Sequence, residues 1–394
     1  MKKILAINSG SSSFKFKLFS LPTNEVVAEG MADRVGLSGS TFEIKLADGS
    51  KHTIKEDIAT QEDAVQKLLE MLKEYNAVDE ISEIAGVGHR IVAGGEYFKE
   101  STIINKDNLQ KIFELKDYAP LHNVAEGKGI EAFMKVLPGV PEVGVFDSAF
   151  HQTLDPVHYL YPVPYKYYEK YKARKYGAHG TSVRYIIKEA ANMLNTDLVD
   201  LKLIVCHLGS GASITAVKEG QSYDTSMGFS PLDGIEMATR SGSVDPSLLQ
   251  HVMHEEKIDI DEMIKILNTE SGLYGVSGIS PDMRDLRDSD KERAKIARDI
   301  YINRVVRTIG GYISELKGAD AIIFTAGVGE HDEELRKRVM EYFEFMGLEP
   351  DLKANELGGQ RFITKPTSKL KAIIIPTNEE LMIEQDVVRL AGLN

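Results

Sequence analysis

The stretch Ile4-Leu5-Ala6-Ile7-Asn8-Ser9-Gly10-Ser11-Ser12-Ser13-Phe14-Lys15 runs from an apolar segment into a small, polar, glycine-containing turn. Lys15-Phe16-Lys17-Leu18-Phe19 returns from that turn as a second apolar segment. Two strands joined in this way expose backbone N–H groups and hydroxyls at one tip, which suits a bound phosphate. Lys15 adds a positive charge beside it. The same plan recurs in Leu203-Ile204-Val205-Cys206-His207-Leu208-Gly209-Ser210-Gly211-Ala212-Ser213, followed by Ile214-Thr215-Ala216-Val217. Two phosphate-type hairpins about half a chain apart point to a duplicated fold with a nucleotide held between the halves.

A chain of 394 residues is long for one core, and two domains are expected. With 42% hydrophobic and 27% charged residues the composition is that of a soluble protein. No apolar run approaches the roughly 20 residues that span a bilayer, and Lys2-Lys3 precede too short an apolar run for a signal-peptide core. Cys206 is the one cysteine, so no intrachain disulfide forms, in keeping with a reducing cytoplasm. The net charge of -13 argues against nucleic-acid binding, which needs a basic face. Anionic substrates would then be held by a few placed arginines, helix N-termini and a metal.

The first 55 residues read as strand-rich, with Asp48-Gly49 as a hairpin turn between Phe42-Glu43-Ile44-Lys45-Leu46 and His52-Thr53-Ile54. A helical face begins after Thr60 (Ala64, Leu68, Met71, Leu72), with Thr60 and Asp63 as capping residues. Asn123 and Glu126 have the spacing of a capping box opening a second helix through Leu137. Val143-Gly144-Val145-Phe146 reads as a buried strand ending at Asp147. The second half repeats this α/β programme from Leu203, with a helical stripe through Tyr301, Val305, Ile309, Tyr312, Ile313 and Leu316. Strands follow at Ala321–Thr325 and Ala372–Ile375, and a C-terminal helix from Glu379 to Leu390 is expected to return to the first domain.

Several charged residues sit where structure alone gains little. Arg90 precedes the turn Ala93-Gly94-Gly95, His122 opens a helix, Asp147 ends a strand, and His179 lies between glycines. Arg240 stands among small residues, and Glu379 with Glu380 follows a buried strand. His151, close behind Asp147, reads as a satisfied partner of that carboxylate. Phosphoryl transfer unites the set: arginines and histidine stabilise the charge on the moving group. Asp147 and Glu379 are suitable magnesium ligands, with Asn8 orienting the metal's waters. The chain has no P-loop motif, no protein-kinase HRD or DFG set, no zinc-type H-E-x-x-H, and only Gly86-Val87-Gly88 toward a dinucleotide fingerprint. Tyr165 to Tyr176, aromatic and basic, reads as an amphipathic surface segment leading to His179.

These residues occur in ordered motifs: INSGSSSFK, GHRIVAGGE, APLHN, VFDSAFHQT, YGAHGTS, HLGSGAS, DTSMGFSPLDG, TRSGS, SPDMRD, FTAGVGE and PTNEELMI. Together they resemble the acetate kinase (acetokinase) family from Met1 to the C-terminal helix. The resemblance implies the α/β fold of the sugar kinase, actin and heat-shock ATPase superfamily: two duplicated actin-like (ribonuclease H-like) domains with a central nucleotide and substrate cleft. The expected domains are 1–148 with 380–394, and 149–379.

The activity implied is reversible Mg²⁺-dependent transfer of the γ-phosphoryl of ATP to acetate, giving acetyl phosphate and ADP, with Mn²⁺ as a substitute metal. By resemblance, Asn8 and Glu379 match the metal site. Arg90, His122, Asp147, His179 and Arg240 match the catalytic set, and Arg90 with Val92, Leu121 and Pro231 the acid-binding pocket. Lys15, His207, Leu208, Gly209, Ser210, Gly211, Asp282, Met283, Arg284, Gly327, Val328, Gly329, Glu330 and His331 match the nucleotide contacts. A cytoplasmic homodimer is also implied. The sequence departs from the family pattern at Ala93, Val183, Ala238, Ser243-Val244, Ser210 and His331. Ala178 stands where phenylalanine is common, and a wider acyl pocket admitting propionate is expected there. A propionate kinase is the near alternative, and an ATP-driven chaperone or filament protein the distant one.

Overall fold

The computed structural model describes residues 1–10, 12–119 and 122–393, with the backbone alone of Asp117. The chain falls into two compact units: Met1–Phe150 with Gly180–Ser182 and Asn378–Asn394, and His151–His179 with Val183–Thr377.

In the first unit the strands are β1 (Lys3–Ser9), β2 (Ser13–Ser20), β3 (Glu25–Asp33), β4 (Thr41–Leu46), β5 (Lys51–Lys55), β6 (Ile84–Ile91), β7 (Thr102–Ile103) and β8 (Glu142–Phe146). They form one sheet in the order β5-β4-β3-β2-β1-β6-β8-β7. The second unit has β9 (Lys202–Leu208), β10 (Ala212–Lys218), β11 (Gln221–Thr225), β12 (Ala321–Thr325), β13 (Arg361–Phe362) and β14 (Lys371–Ile374), ordered β11-β10-β9-β12-β14-β13.

The duplication is visible strand by strand. Each sheet has an antiparallel three-strand meander, then two parallel strands, then a two-residue antiparallel edge. The hairpins β1–β2 and β9–β10 occupy equivalent places. The strands β4 and β5 extend only the first sheet, and Gly49 turns between them at φ +86°.

Local chemistry explains the flanking helices. Thr60 and Asp63 form the reciprocal capping box of helix Gln61–Glu74, whose buried Ala64, Leu68, Met71 and Leu72 face the core. In the second unit the stripe from Tyr301 to Leu316 lies buried along helix Glu292–Leu316. Helix Glu379–Ala391 belongs to the first unit and buries Ile383 and Val387 among Ile4, Ala6, Val143 and Val145. It approaches β6 closely: a Cβ on Gly86 would lie 2.5 Å from Val387, and one on Gly88 2.2 Å from Ile383. The glycines of Gly86-Val87-Gly88 therefore make room for a helix rather than for a dinucleotide.

Helix Asn123–Val136 does form, but the expected capping box does not. His122 is the N-cap and makes no side-chain cap bond. Asn123 and Glu126 are buried and turn instead to the backbone beyond β6. Among the described residues, no helix is long and apolar enough to cross a membrane.

Candidate active site

In the first unit β6 and β8 run parallel, with Arg90 beside Val145. Arg90 is the penultimate residue of β6, and Asp147 directly follows β8. Arg90 Nη2 and Nε donate to Asp147 Oδ2 at 2.6 and 3.1 Å. Asp147 is fully buried, and Thr181 Oγ1 donates to its Oδ1 at 2.9 Å. Its backbone is fixed as well: Asp147 N donates to Ile91 O at 2.8 Å, and Asp147 O accepts from Gly180 N at 2.8 Å. Both carboxylate oxygens are thus engaged, which makes Asp147 a holder of Arg90.

Glu379, the first residue of the C-terminal helix, lies 3.5 Å from Arg90 Nε through Oε2 and is 18% exposed. Burial pushes its carboxyl up to about 7; Arg90 opposes this and the neighbouring Asp147 and Glu380 add to it. A carboxylate loosely engaged, with its charge disfavoured by burial, gains from a hard divalent cation, and oxygen donors suit one. Asn8 lies on β1 directly opposite Lys15 on β2, so the first hairpin presents an amide oxygen and an ammonium from neighbouring positions. The oxygen donors of Glu379 and Asn8 are of the kind that a hard divalent cation takes. Among the described residues, the one group of three close candidate ligands is His158, Asp224 and Glu315; there Lys175 Nζ already sits 2.5 Å from Asp224.

His122, half-buried, is placed at the start of its helix, and Val92 is 6% exposed just beyond β6. Leu121 lies outside the described residues. Glu380 Oε2 accepts from Lys17 Nζ at 3.4 Å.

The second unit gathers another polar cluster, with one arginine, at the second hairpin. His179 adopts φ +62° at the start of helix Gly180–Leu194. Its Nδ1 shares a hydrogen bond with Ser213 Oγ at 2.8 Å, and its ring stacks on His207 at 4.1 Å. A Cβ on Gly211 would lie 3.5 Å from Arg240 Nη1 and 3.6 Å from His179 Nε2, so the guanidinium and the imidazole both overhang the bare glycine. Arg240 Nη1 also donates to Pro231 O at 3.3 Å, and burial lowers its pKa from the ordinary value.

A cavity of about 540 Å³ opens beside this cluster. Gly209, Ser210, Asp282, Met283, Arg284, Gly327, Val328 and His331 line it, together with Ala238, Arg287 and Tyr301. Asp282 caps helix Met283–Arg287 and holds Arg284 bidentately, at 3.0 and 2.6 Å, which keeps its own pKa down to about 2. His207, Leu208, Gly211, Gly329 and Glu330 stand outside the lining. Leu208 is in the core, while Glu330 Oε1 accepts from Thr377 N at 3.2 Å.

One expectation changes. His151 does not serve Asp147: its Nε2 donates to Ala178 O at 2.9 Å and its Nδ1 lies 2.8 Å from Ser222 Oγ. Ala178 is 3% exposed and packs in the core of the second unit. Sequence reasoning also missed Glu126 as a member of the site. It is 2% exposed, and burial pushes its carboxyl up to about 8 against the pull of Arg90.

The chain matches the model of the acetokinase family over residues 3–385. It is 52% identical to the acetate kinase of Fructilactobacillus sanfranciscensis over 396 residues, covering 100% of each chain. The solved acetate kinase of Porphyromonas gingivalis superposes with a TM-score of 0.95 at 40% identity, covering 99% of this chain and 100% of that one. A solved propionate kinase of Francisella tularensis gives 0.93 at 37%, with the same coverage. On the strength of a match along nearly its whole length, in sequence and in fold, this chain belongs to the acetokinase family.

Proposed function

We propose that the chain is a carboxyl-accepting phosphotransferase that moves the γ-phosphoryl of ATP reversibly to acetate, giving acetyl phosphate and ADP by direct in-line displacement. The observation that carries this reading is Arg90, held by the saturated carboxylate of Asp147 and flanked by the less engaged Glu379. A guanidinium fixed in this way binds a small anion bidentately with little entropy left to lose.

Acetate is ionised at neutral pH, so no general base is required. Asp147, with both oxygens already accepting hydrogen bonds, acts as an orienting group. Arg90 clamps the carboxylate and phosphoryl, while Arg240 and His179 stabilise the charge spread over the equatorial oxygens of the transition state. His122 stands near the transferred phosphoryl, and Val92, Leu121 and Pro231 surround the acyl methyl. Lys15 and the residues of the second hairpin, with Asp282 to Arg284 and Gly327 to His331, bind the nucleotide. Mg²⁺, or Mn²⁺ in its place, would be held by Glu379 with Asn8 and would neutralise phosphate charge when bound.

The same reading takes 1–148 with 380–394 as an N-terminal actin-like domain and 149–379 as a C-terminal one, in a cytoplasmic homodimer. Luminescent detection of ATP made from ADP and acetyl phosphate tests the reaction in reverse. Mg²⁺-dependent ATP formation supports the proposal, and no ATP at saturating acetyl phosphate rejects it.

A further inference from the structure

Just beyond β6, three successive backbone N–H groups are captured by side chains from elsewhere in the first unit. Val92 N donates to Glu126 Oε2 at 3.1 Å, Ala93 N to Asn123 Oδ1 at 3.2 Å, and Gly94 N to Ser148 Oγ at 2.9 Å. Asn123 Nδ2 returns a bond to Ala93 O at 2.9 Å. Asn123, Glu126 and Ser148 are 0%, 2% and 1% exposed. A loop normally satisfies its amides with water or with its own turn bonds. Here the three acceptors come from the first turn of helix Asn123–Val136 and from the second residue after β8.

The clamp is costly as plain structure. Burying a carboxyl is unfavourable, and Glu126 Oε1 has no partner among the described residues. The neighbouring groups that act on it are Arg90 and Asp147. The clamp is also placed at the site: Val92 follows Arg90 by two residues, and Ser148 directly follows Asp147.

We infer that Asn123, Glu126 and Ser148 are positioning residues that fix the Val92–Gly94 backbone and thereby set which carboxylic acid chain length is accepted. The inference rests on the proposed reading of Arg90 and Val92. Freeing one amide lets the Val92 wall shift relative to Arg90, and a wall of a small apolar pocket discriminates by single methylenes.

The test compares wild type with Glu126→Ala, Glu126→Gln and Ser148→Ala, using acetate and propionate. Glu126→Ala is expected to raise the KM for acetate about tenfold, the scale of one buried N–H losing its acceptor, with the KM for ATP unchanged within about twofold. The propionate-to-acetate ratio of kcat/KM should move by about fivefold or more. Glu126→Gln keeps an acceptor for Val92 N and should restore the acid KM to within about twofold of wild type. Ser148→Ala is read in the same way should Glu126→Ala not fold. A merely structural role would lower Tm and leave KM and the acid ratio alone, and that result overturns the inference. Wild type lacking acyl phosphate formation would overturn the underlying function instead, so the two failures are told apart.

Discussion

Arg90 Nη2 stands 2.6 Å from Asp147 Oδ2, with Asp147 wholly buried and Arg90 19% exposed. The parallel register of β6 and β8 sets their C-terminal ends side by side, which brings this pair together. Arg240 differs: the contacts that position it are to Pro231 O at 3.3 Å and Met237 Sδ at 3.9 Å, neither of them an anion.

The two arginines should therefore separate in their effects. Arg90→Ala and Arg240→Ala are each expected to reduce kcat by about three orders of magnitude or more. Arg90→Ala should also destabilise the fold by about 3–5 kcal/mol, because it strands a buried carboxylate. Arg240→Ala should cost about 1 kcal/mol or less, since no anion loses its partner. Turnover assays paired with urea unfolding check both arms, and equal stability losses would contradict the account.

His179 holds φ +62°, a conformation asparagine tolerates better than most residues. His179→Asn should therefore fold with a Tm close to wild type. It should lower kcat by about a hundredfold or more through loss of the imidazole over Gly211. Thermal melts and steady-state kinetics on one preparation test this.

Asp282 couples a helix cap to the arginine fork of Arg284 at the edge of the cavity. Asp282→Ala and Arg284→Ala are each expected to raise the KM for ATP by about tenfold while leaving the KM for acetate unchanged within about twofold. A change confined to the acetate KM would move these residues out of the nucleotide site.

Glu126 supplies a pH prediction. Its folded carboxyl titrates at about 8, against an ordinary value of 4.5, because burial outweighs the attraction of Arg90. The folded state holds the extra proton across that window, so this contribution to stability is full at low pH and is lost as pH rises from about 4.5 toward about 8. Glu126→Gln cannot ionise and should remove that part of the slope, on the order of a few kcal/mol over the window. Urea unfolding of both proteins at about pH 5.5 and about pH 8 reads it. Parallel slopes would show that Glu126 ionises normally.

Much of the architecture was legible because its signals are local. The apolar run into Asn8-Ser9-Gly10, and its repeat at His207-Leu208-Gly209, mark both hairpins; the capping box at Thr60 and Asp63 marks a helix start. The clamp was not legible. Asn123 and Glu126 carry the spacing of a capping box, and nothing nearby in the sequence shows that their partners are Val92 and Ala93, some thirty residues earlier. His151 misled in the same way: proximity in sequence to Asp147 suggested a pair, whereas the chain crosses into the second unit after Phe150 and the imidazole turns to Ser222. The glycines at 86 and 88 could be interpreted only once helix Glu379–Ala391, from the far end of the chain, lay against them.

The most direct measurement is ATP- and Mg²⁺-dependent acyl phosphate formation, trapped with hydroxylamine, in the presence of acetate, propionate, butyrate or no acid. The account predicts hydroxamate from acetate in preference to the longer acids, and none without acid. ATP consumption with no trapped acyl phosphate would contradict it.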